Sequence, residues 1–223
     1  MSIGTGQFCS TLLLVSACAA CAPIAETAPP AGKADVIVDE ASAEEEAGWK
    51  GIASADDLDR ILRLDSAWEA ALSEARAKGF GAAIEKEGAL LDPAIAQPRG
   101  APPPGSYRCR VVKIGSQGKG PAYTAYKPFF CYVEAEDDLL TIVKQTGSER
   151  PAGRLYPESD ERMIFLGTLG LGDEAEPLPY GEDPERDMAG VMERVAPFRY
   201  RLVIPWPRQE SKLDVFELVP ATQ

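Results

Sequence analysis

Two short segments, Tyr107–Ile114 and Phe129–Glu134, each carry one cysteine, and that pairing limits what the chain can fold into. Both are rich in aromatic and β-branched residues, the composition of strands. In an antiparallel pair bridged by Cys109 and Cys131, opposed positions sum to 240, so Tyr107 faces Val133 and Val111 faces Phe129. Side chains alternate between faces, so these pairs and the disulfide share one apolar face. The other face sets Arg108 against Tyr132 and Arg110 against Phe130, two expected cation–π contacts. The same sum centres the turn near Gly120, inside Gly115-Ser-Gln-Gly-Lys-Gly-Pro121, where glycines and a proline signal a loop independently. The alternative is two buried free thiols, and the redox compartment decides between them.

The N-terminus speaks for export. Phe8–Ala20 is apolar, turns to small residues at its end and is too short for a permanent membrane span, which reads as a signal-peptide core. Val15-Ser-Ala-Cys18 resembles the bacterial lipobox, in which cleavage before the cysteine leaves it to be acylated. The expectation is a signal peptide over residues 1–17, loss of Cys9, lipid on Cys18 and an unpartnered Cys21. Acyl chains contribute about 0.8 kcal/mol per buried CH₂, so a multiply acylated cysteine anchors durably to a membrane. Ala19 resembles the residue that follows the cysteine in outer-membrane-sorted lipoproteins. The expected location is the periplasm-facing side of a bacterial envelope, the outer membrane favoured, where disulfides persist.

Net charge is −12, and residues 18–48 contribute −6 of it through seven acids and one base. That stretch has no aromatic residue and abounds in Ala, Pro and Glu, so it reads as a solvated tether. The remainder is 22 bases against 28 acids, which argues against nucleic acid as a partner. Partners in view are the membrane through its anchor, and an envelope protein or small molecule.

The folded domain is expected over residues 49–220, helical over 49–96 and antiparallel β over 105–220. Ser54-Ala-Asp-Asp57 fits a capping box, and Leu58, Ile61, Leu62, Trp68, Leu72 and Ala75 recur at helical spacing before Gly79. A shorter helix over Ala82–Leu91 stops before Pro93. Further strands are expected at Leu139–Val143, Leu155–Tyr156, Met163–Leu166, Gly190–Val195, Phe198–Ile204 and Leu213–Val219. Phe198, Tyr200, Leu202 and Ile204 alternate against Arg199 and Arg201, which suggests one wet face. Short links between successive strands favour a small antiparallel up-and-down barrel carrying a helical hairpin, with a sandwich as the alternative.

The motifs Pro104-Gly-Ser-Tyr-Arg-Cys-Arg110, Lys144-Gln-Thr-Gly-Ser-Glu-Arg150, Tyr180-Gly-Glu-Asp183, Arg186-Asp187, Phe198-Arg-Tyr-Arg-Leu-Val-Ile-Pro205, Glu210-Ser211 and Leu213-Asp-Val215 occur in order. Together they resemble the bacterial domain-of-unknown-function family 4893 (DUF4893) over about residues 49–220. The resemblance implies an exported protein of no established activity.

Residues that could carry chemistry are few. The chain holds no histidine, which excludes a Ser-His-Asp triad, a Cys-His pair and His-ligated zinc. No Gly-x-Ser-x-Gly elbow or P-loop occurs. Gly167-Thr-Leu-Gly-Leu-Gly172 lacks the dinucleotide-binding order and reads as a turn. Ser116-Gln-Gly-Lys119 matches Ser-x-x-Lys in letters, but in a glycine-rich loop instead of at a helix start. Asp173, Glu174, Glu176, Glu182, Asp183, Glu185 and Asp187 could offer oxygens to calcium; their spacing is not that of an EF-hand, so a solvated acidic loop is expected. Glu134 and Glu193 could act as a carboxylate pair only if they faced each other. Arg108, Arg110, Arg199 and Arg201 share a face and are the candidate anion site: a clamp if that face is concave, solvated side chains if convex. No catalytic residue, metal or cofactor is expected. The resulting expectation is a non-catalytic binding or structural module, with an envelope hydrolase and a barrel-type protease inhibitor as alternatives. The barrel interior discriminates, since an apolar filling favours the first and a cavity with shifted acids the second.

Overall fold

A computed structural model describes residues 48–172 and 174–221. The expected signal peptide, lipidation at Cys18 and most of the tether lie outside the described residues.

After a helical segment at 48–52, α1 spans Ala55–Leu62, α2 Leu64–Ala77 and α3 Gly81–Glu87, and Gly88–Leu91 forms a 3₁₀ turn. Ser54 caps α1 by accepting the Asp57 N–H at 3.1 Å. The expected single helix breaks at Arg63, whose carbonyl accepts from the Trp206 indole at 3.3 Å. Leu62, counted in the apolar stripe, lies at this joint and is 72% exposed. Gly79 ends α2 at φ 90°, a backbone angle that favours glycine.

Nine strands follow: β1 Gly105–Ile114, β2 Tyr123–Ala125, β3 Phe129–Glu136, β4 Leu139–Lys144, β5 Glu149–Pro157, β6 Arg162–Leu171, β7 Asp187–Ala196, β8 Arg199–Pro205 and β9 Leu213–Pro220. All pairings are antiparallel. β3 to β9 run up and down, and β9 pairs with β1 to close an eight-stranded barrel. The extra strand, β2, lies beside the C-terminal half of β1, while β3 takes its N-terminal half.

The hairpin register differs from the expected one. Tyr107 opposes Cys131 and Cys109 opposes Phe129, a sum of 238 instead of 240. The disulfide therefore joins diagonal neighbours with Cα atoms 5.9 Å apart. The cause is the added strand: β1–β2 pairs sum to 237, so the returning chain is jogged at residues 126–128 before β3 begins. A two-residue slip preserves the faces, and both cysteines still point into the barrel. It does change the expected partners: Arg108 opposes Phe130 in place of Tyr132, and Arg110 opposes no β3 residue.

Two cores share the barrel wall. The lumen holds Tyr107, Val133, Leu155, Phe165, Met192, Leu202 and Phe216 with the cystine. Its far end is shut by Tyr107 and Tyr200, edge to face at 6.3 Å, with the Tyr107 hydroxyl donating to the Pro103 carbonyl at 2.6 Å. Outside, Trp68, Ala71, Leu72 and Ala75 of α2 cover Val112, Ile114, Val191, Val203, Leu213 and Val215. β8 is thus buried on both faces instead of wet on one. Phe198 does not join its inward row; it sits in the β7–β8 turn at φ 54° and is 73% exposed. Gly167 lies within β6 opposite Gly153, where an added Cβ on Gly153 would come within 2.5 Å of the Gly167 Cα. The Phe165 ring fills the space these glycines leave in the lumen.

In the chain-entropy model, cross-linking residues 22 apart stabilises the fold by about 3 kcal/mol. Cys109→Ser and Cys131→Ser should each lower the melting temperature by more than 5 °C and expose one titratable thiol. A melting temperature unchanged in both would contradict the bridge.

Candidate functional site

The arginine face is convex, but it is roofed by helices. Residue pairing across β7, β8, β9 and β1 aligns Glu193, Arg201, Glu217 and Arg110, so opposite charges alternate along the outer wall. Arg110 grips Glu87 of α3 through both terminal nitrogens and Glu217 through Nε. Arg199 Nε donates to the other oxygen of Glu217. Arg201 is fully buried; its Nε donates to Glu193 at 2.8 Å and its Nη1 to the carbonyls of Leu90 and Asp92 at 3.1 and 2.7 Å. It thereby satisfies the C-terminal carbonyls of the 3₁₀ turn, with Trp68 stacked at 5.0 Å. Burial opposes the charges of Glu87 and Arg201. For Glu87, Arg110 and Tyr123 outweigh that effect and hold its carboxyl below the usual range. For Arg201, burial prevails and the pKa falls. Three of the four sequence-picked arginines are thus brought together around protein carboxylates, while Arg108 lies exposed on the same wall.

A space that could admit a ligand between apolar and charged walls lies elsewhere, at the barrel mouth. There the lumen stays open as a cup of about 100 Å³. Val111, Pro151, Leu169, Ile204 and Phe216 form its apolar lining, and Lys113, Lys144, Glu149 and Asp214 its charged inner rim. Strand alternation aims these side chains inward: Lys113 follows Val111 by two on β1, and Asp214 precedes Phe216 by two on β9. The β8–β9 loop, through Pro207, Arg208, Gln209 and Glu210, borders the opening. Trp206 and Glu210 hold positive φ angles of 47° and 67° in this loop. Gln117 fastens it by donating to the Pro207 and Ser211 carbonyls at 2.5 and 2.6 Å.

Asp214 is buried and accepts from the Ser211 hydroxyl, with Lys113 Nζ 3.8 Å away. Burial pushes its carboxyl up to about 6, and Lys113 and Ser211 only partly restrain the rise. Burial also raises Asp187, against the pull of the Gly181 N–H at 3.0 Å. Lys144 is lowered, chiefly by burial; its ammonium donates to the Glu149 carbonyl at 2.6 Å and lies 4.5 Å from the Phe129 ring. The sequence did carry a signal for this rim: an acid at 214 in phase with inward Phe216 and Leu218, and a lysine at 113 in phase with Val111.

The other motifs serve the scaffold. Ser116 lies in the turn after β1, where its hydroxyl accepts the Gly118 N–H at 3.1 Å. The glycine-rich run at 167–172 is mostly strand β6. Glu134 is exposed on β3 and Glu193 buried on β7, four strands apart around the barrel. The acidic loop keeps Glu176, Glu182 and Glu185 exposed, as expected of a solvated loop, while Arg186 clasps Glu174 at 2.6 Å and Asp183 at 2.8 Å and Asp187 is buried. Asp173 lies outside the described residues. Among the described residues, no group of three or more acids or cysteines is placed to hold a metal.

A family model described as a domain of unknown function (DUF4893) matches residues 49–218. No curated protein and no solved structure matches the chain.

Asp214 has a folded-state pKa raised above its unfolded value near 3.8, so stability falls as pH rises through about 6. Asp214→Asn should therefore stabilise the protein by about 2–3 kcal/mol at pH 7.5, and the gain should vanish below pH 4. Denaturant melts at the two pH values check this; an offset equal at both would contradict it.

Proposed function

The chain belongs to the DUF4893 family of domains of unknown function, a membership that carries no activity, and we propose from the site itself that it is a non-catalytic binding module of the bacterial cell envelope. The observation that carries this reading is the asymmetry of the lumen. Apolar side chains fill it from the tyrosine-shut end, and only the shallow cup at the mouth is left for a guest. An apolar floor under a few convergent charges is the usual make-up of a small-molecule site. The lipobox-like Val15-Ser-Ala-Cys18 supports attachment through lipid on Cys18, and the acidic stretch that follows would hold the barrel away from the membrane surface.

A second reading, an envelope hydrolase, draws on Asp214. A carboxyl raised to about 6 in a cavity suits a general acid near neutrality. The binding reading is preferred because Asp214 is already engaged by Ser211 and Lys113.

Two measurements test the proposal. Cys18→Ser should move the protein from the membrane fraction to the soluble periplasm, and continued membrane retention would contradict the anchor. Native mass spectrometry of envelope-purified protein should reveal a small adduct that Val111→Phe, which fills the cup, removes. An adduct that survives that substitution, or a bound species converted to product, would contradict a non-catalytic cup.

A further inference from the structure

Five cations line the cup, and four already have acidic partners. Arg60 meets Asp56 and Asp57, Lys113 meets Glu210 and Asp214, Arg186 meets Glu174 and Asp183, and Arg208 meets Asp56. Among the described residues, Lys144 is the one cation of the cup within ion-pair reach of no carboxylate. Its contacts are a neutral carbonyl and the face of Phe129. The carbonyl bond fixes the ammonium and leaves two of its three N–H groups to give. Glu149 supplies that carbonyl, yet its own carboxylate is exposed at the rim and outside ion-pair range.

Lys144 also borders a second, small apolar recess of about 10 Å³ with Pro151, Phe165 and Phe216, so hydrocarbon lies directly beneath the unpaired charge. A half-buried ammonium over an apolar floor is complementary to an anion that carries its own hydrocarbon.

We infer that the cup binds a short aliphatic monocarboxylate, its carboxylate accepting from Lys144 Nζ and its alkyl chain lying on Val111, Pro151 and Phe216. The volume sets the length. A dry cavity of about 150 Å³ admits the six carbons of benzene, so the cup of about 100 Å³ takes roughly four chain atoms. The charge is set by what surrounds Lys144. A dianion such as phosphate would bring a second negative charge against Asp214 and Glu149, whereas a monocarboxylate meets one ammonium with one charge. This inference rests on the cup being the binding site, and deepens that reading by naming what it takes.

The test uses the purified full-length protein with labelled Val and Ile methyl groups, titrated at pH 7.5 with sodium butyrate, n-butanol, n-butylamine or inorganic phosphate. Butyrate should shift the Val111 and Ile204 methyl signals saturably at millimolar concentration or below, about tenfold lower than butanol. Lys144→Gln should remove that advantage while leaving butanol unchanged, and Lys144→Arg should restore most of it. Glu149→Gln should preserve or tighten butyrate binding. If butyrate and butanol bind equally, if phosphate or butylamine binds more tightly, or if Lys144→Gln has no effect, the ligand class is overturned and the cup remains a binding site. If no compound moves either methyl, both the ligand class and the cup as binding site are overturned.

Discussion

Eight residue pairs between β1 and β9, from Tyr107–Pro220 to Ile114–Leu213, close the sheet on itself. Without them the structure would be an open meander with two edges and no lumen. Closure satisfies the backbone of both strands and removes the long edges on which a sheet would otherwise pair with other chains. It also makes β1 the member on which most depends. Its outer edge carries β9, its inner edge carries β3 and β2 in turn, and Cys109 ties it covalently to the start of β3.

A closed eight-stranded barrel is only wide enough for its own side chains or one small ligand. Here both outcomes occur, at opposite ends. Tyr107, Tyr200, Leu202 and Phe165 occupy the closed part, whereas at the mouth the inward positions change to Lys113, Lys144, Glu149 and Asp214. Charged groups pointing into a lumen cannot pack it to hydrocarbon density, so the cup follows from the residues at the last inward positions of each strand. The helices use charge differently. They cover β7, β8, β9 and β1 and would bury the carbonyl end of the 3₁₀ turn unsatisfied. Arg201 supplies the donors, and Glu193 supplies the charge that makes burial of Arg201 tolerable.

Strand order, the barrel and the cysteine bridge were legible because alternation survives imperfect register: a slip of two residues moves Cys109 from Cys131 to Phe129 without turning either cysteine outward. The three-residue β2 carried too little pattern to be seen, and it is what shifts the register. Arg199 and Arg201 illustrate a different limit. Periodicity shows which residues share a face, but not that α2 and the 3₁₀ turn will cover that face and turn wet arginines into buried caps. Alternation with Tyr200, Leu202 and Ile204 extends the strand to Phe198, whereas the tight turn between β7 and β8 requires a positive φ at that position. The cup was legible in principle from inward-phased Lys113 and Asp214. The unmet charge on Lys144 was not, because it depends on β1, β4, β5 and β9 converging at one rim.

Closure by β1 and β9 can be measured directly by native-state amide hydrogen exchange. The account predicts that the amides of Arg110, Val112, Val215 and Glu217, which point across this seam, exchange only through global unfolding, with the full stability of the domain. Exchange of these amides through local fraying, several kcal/mol below global stability, would show that the barrel is open along this seam and contradict the account.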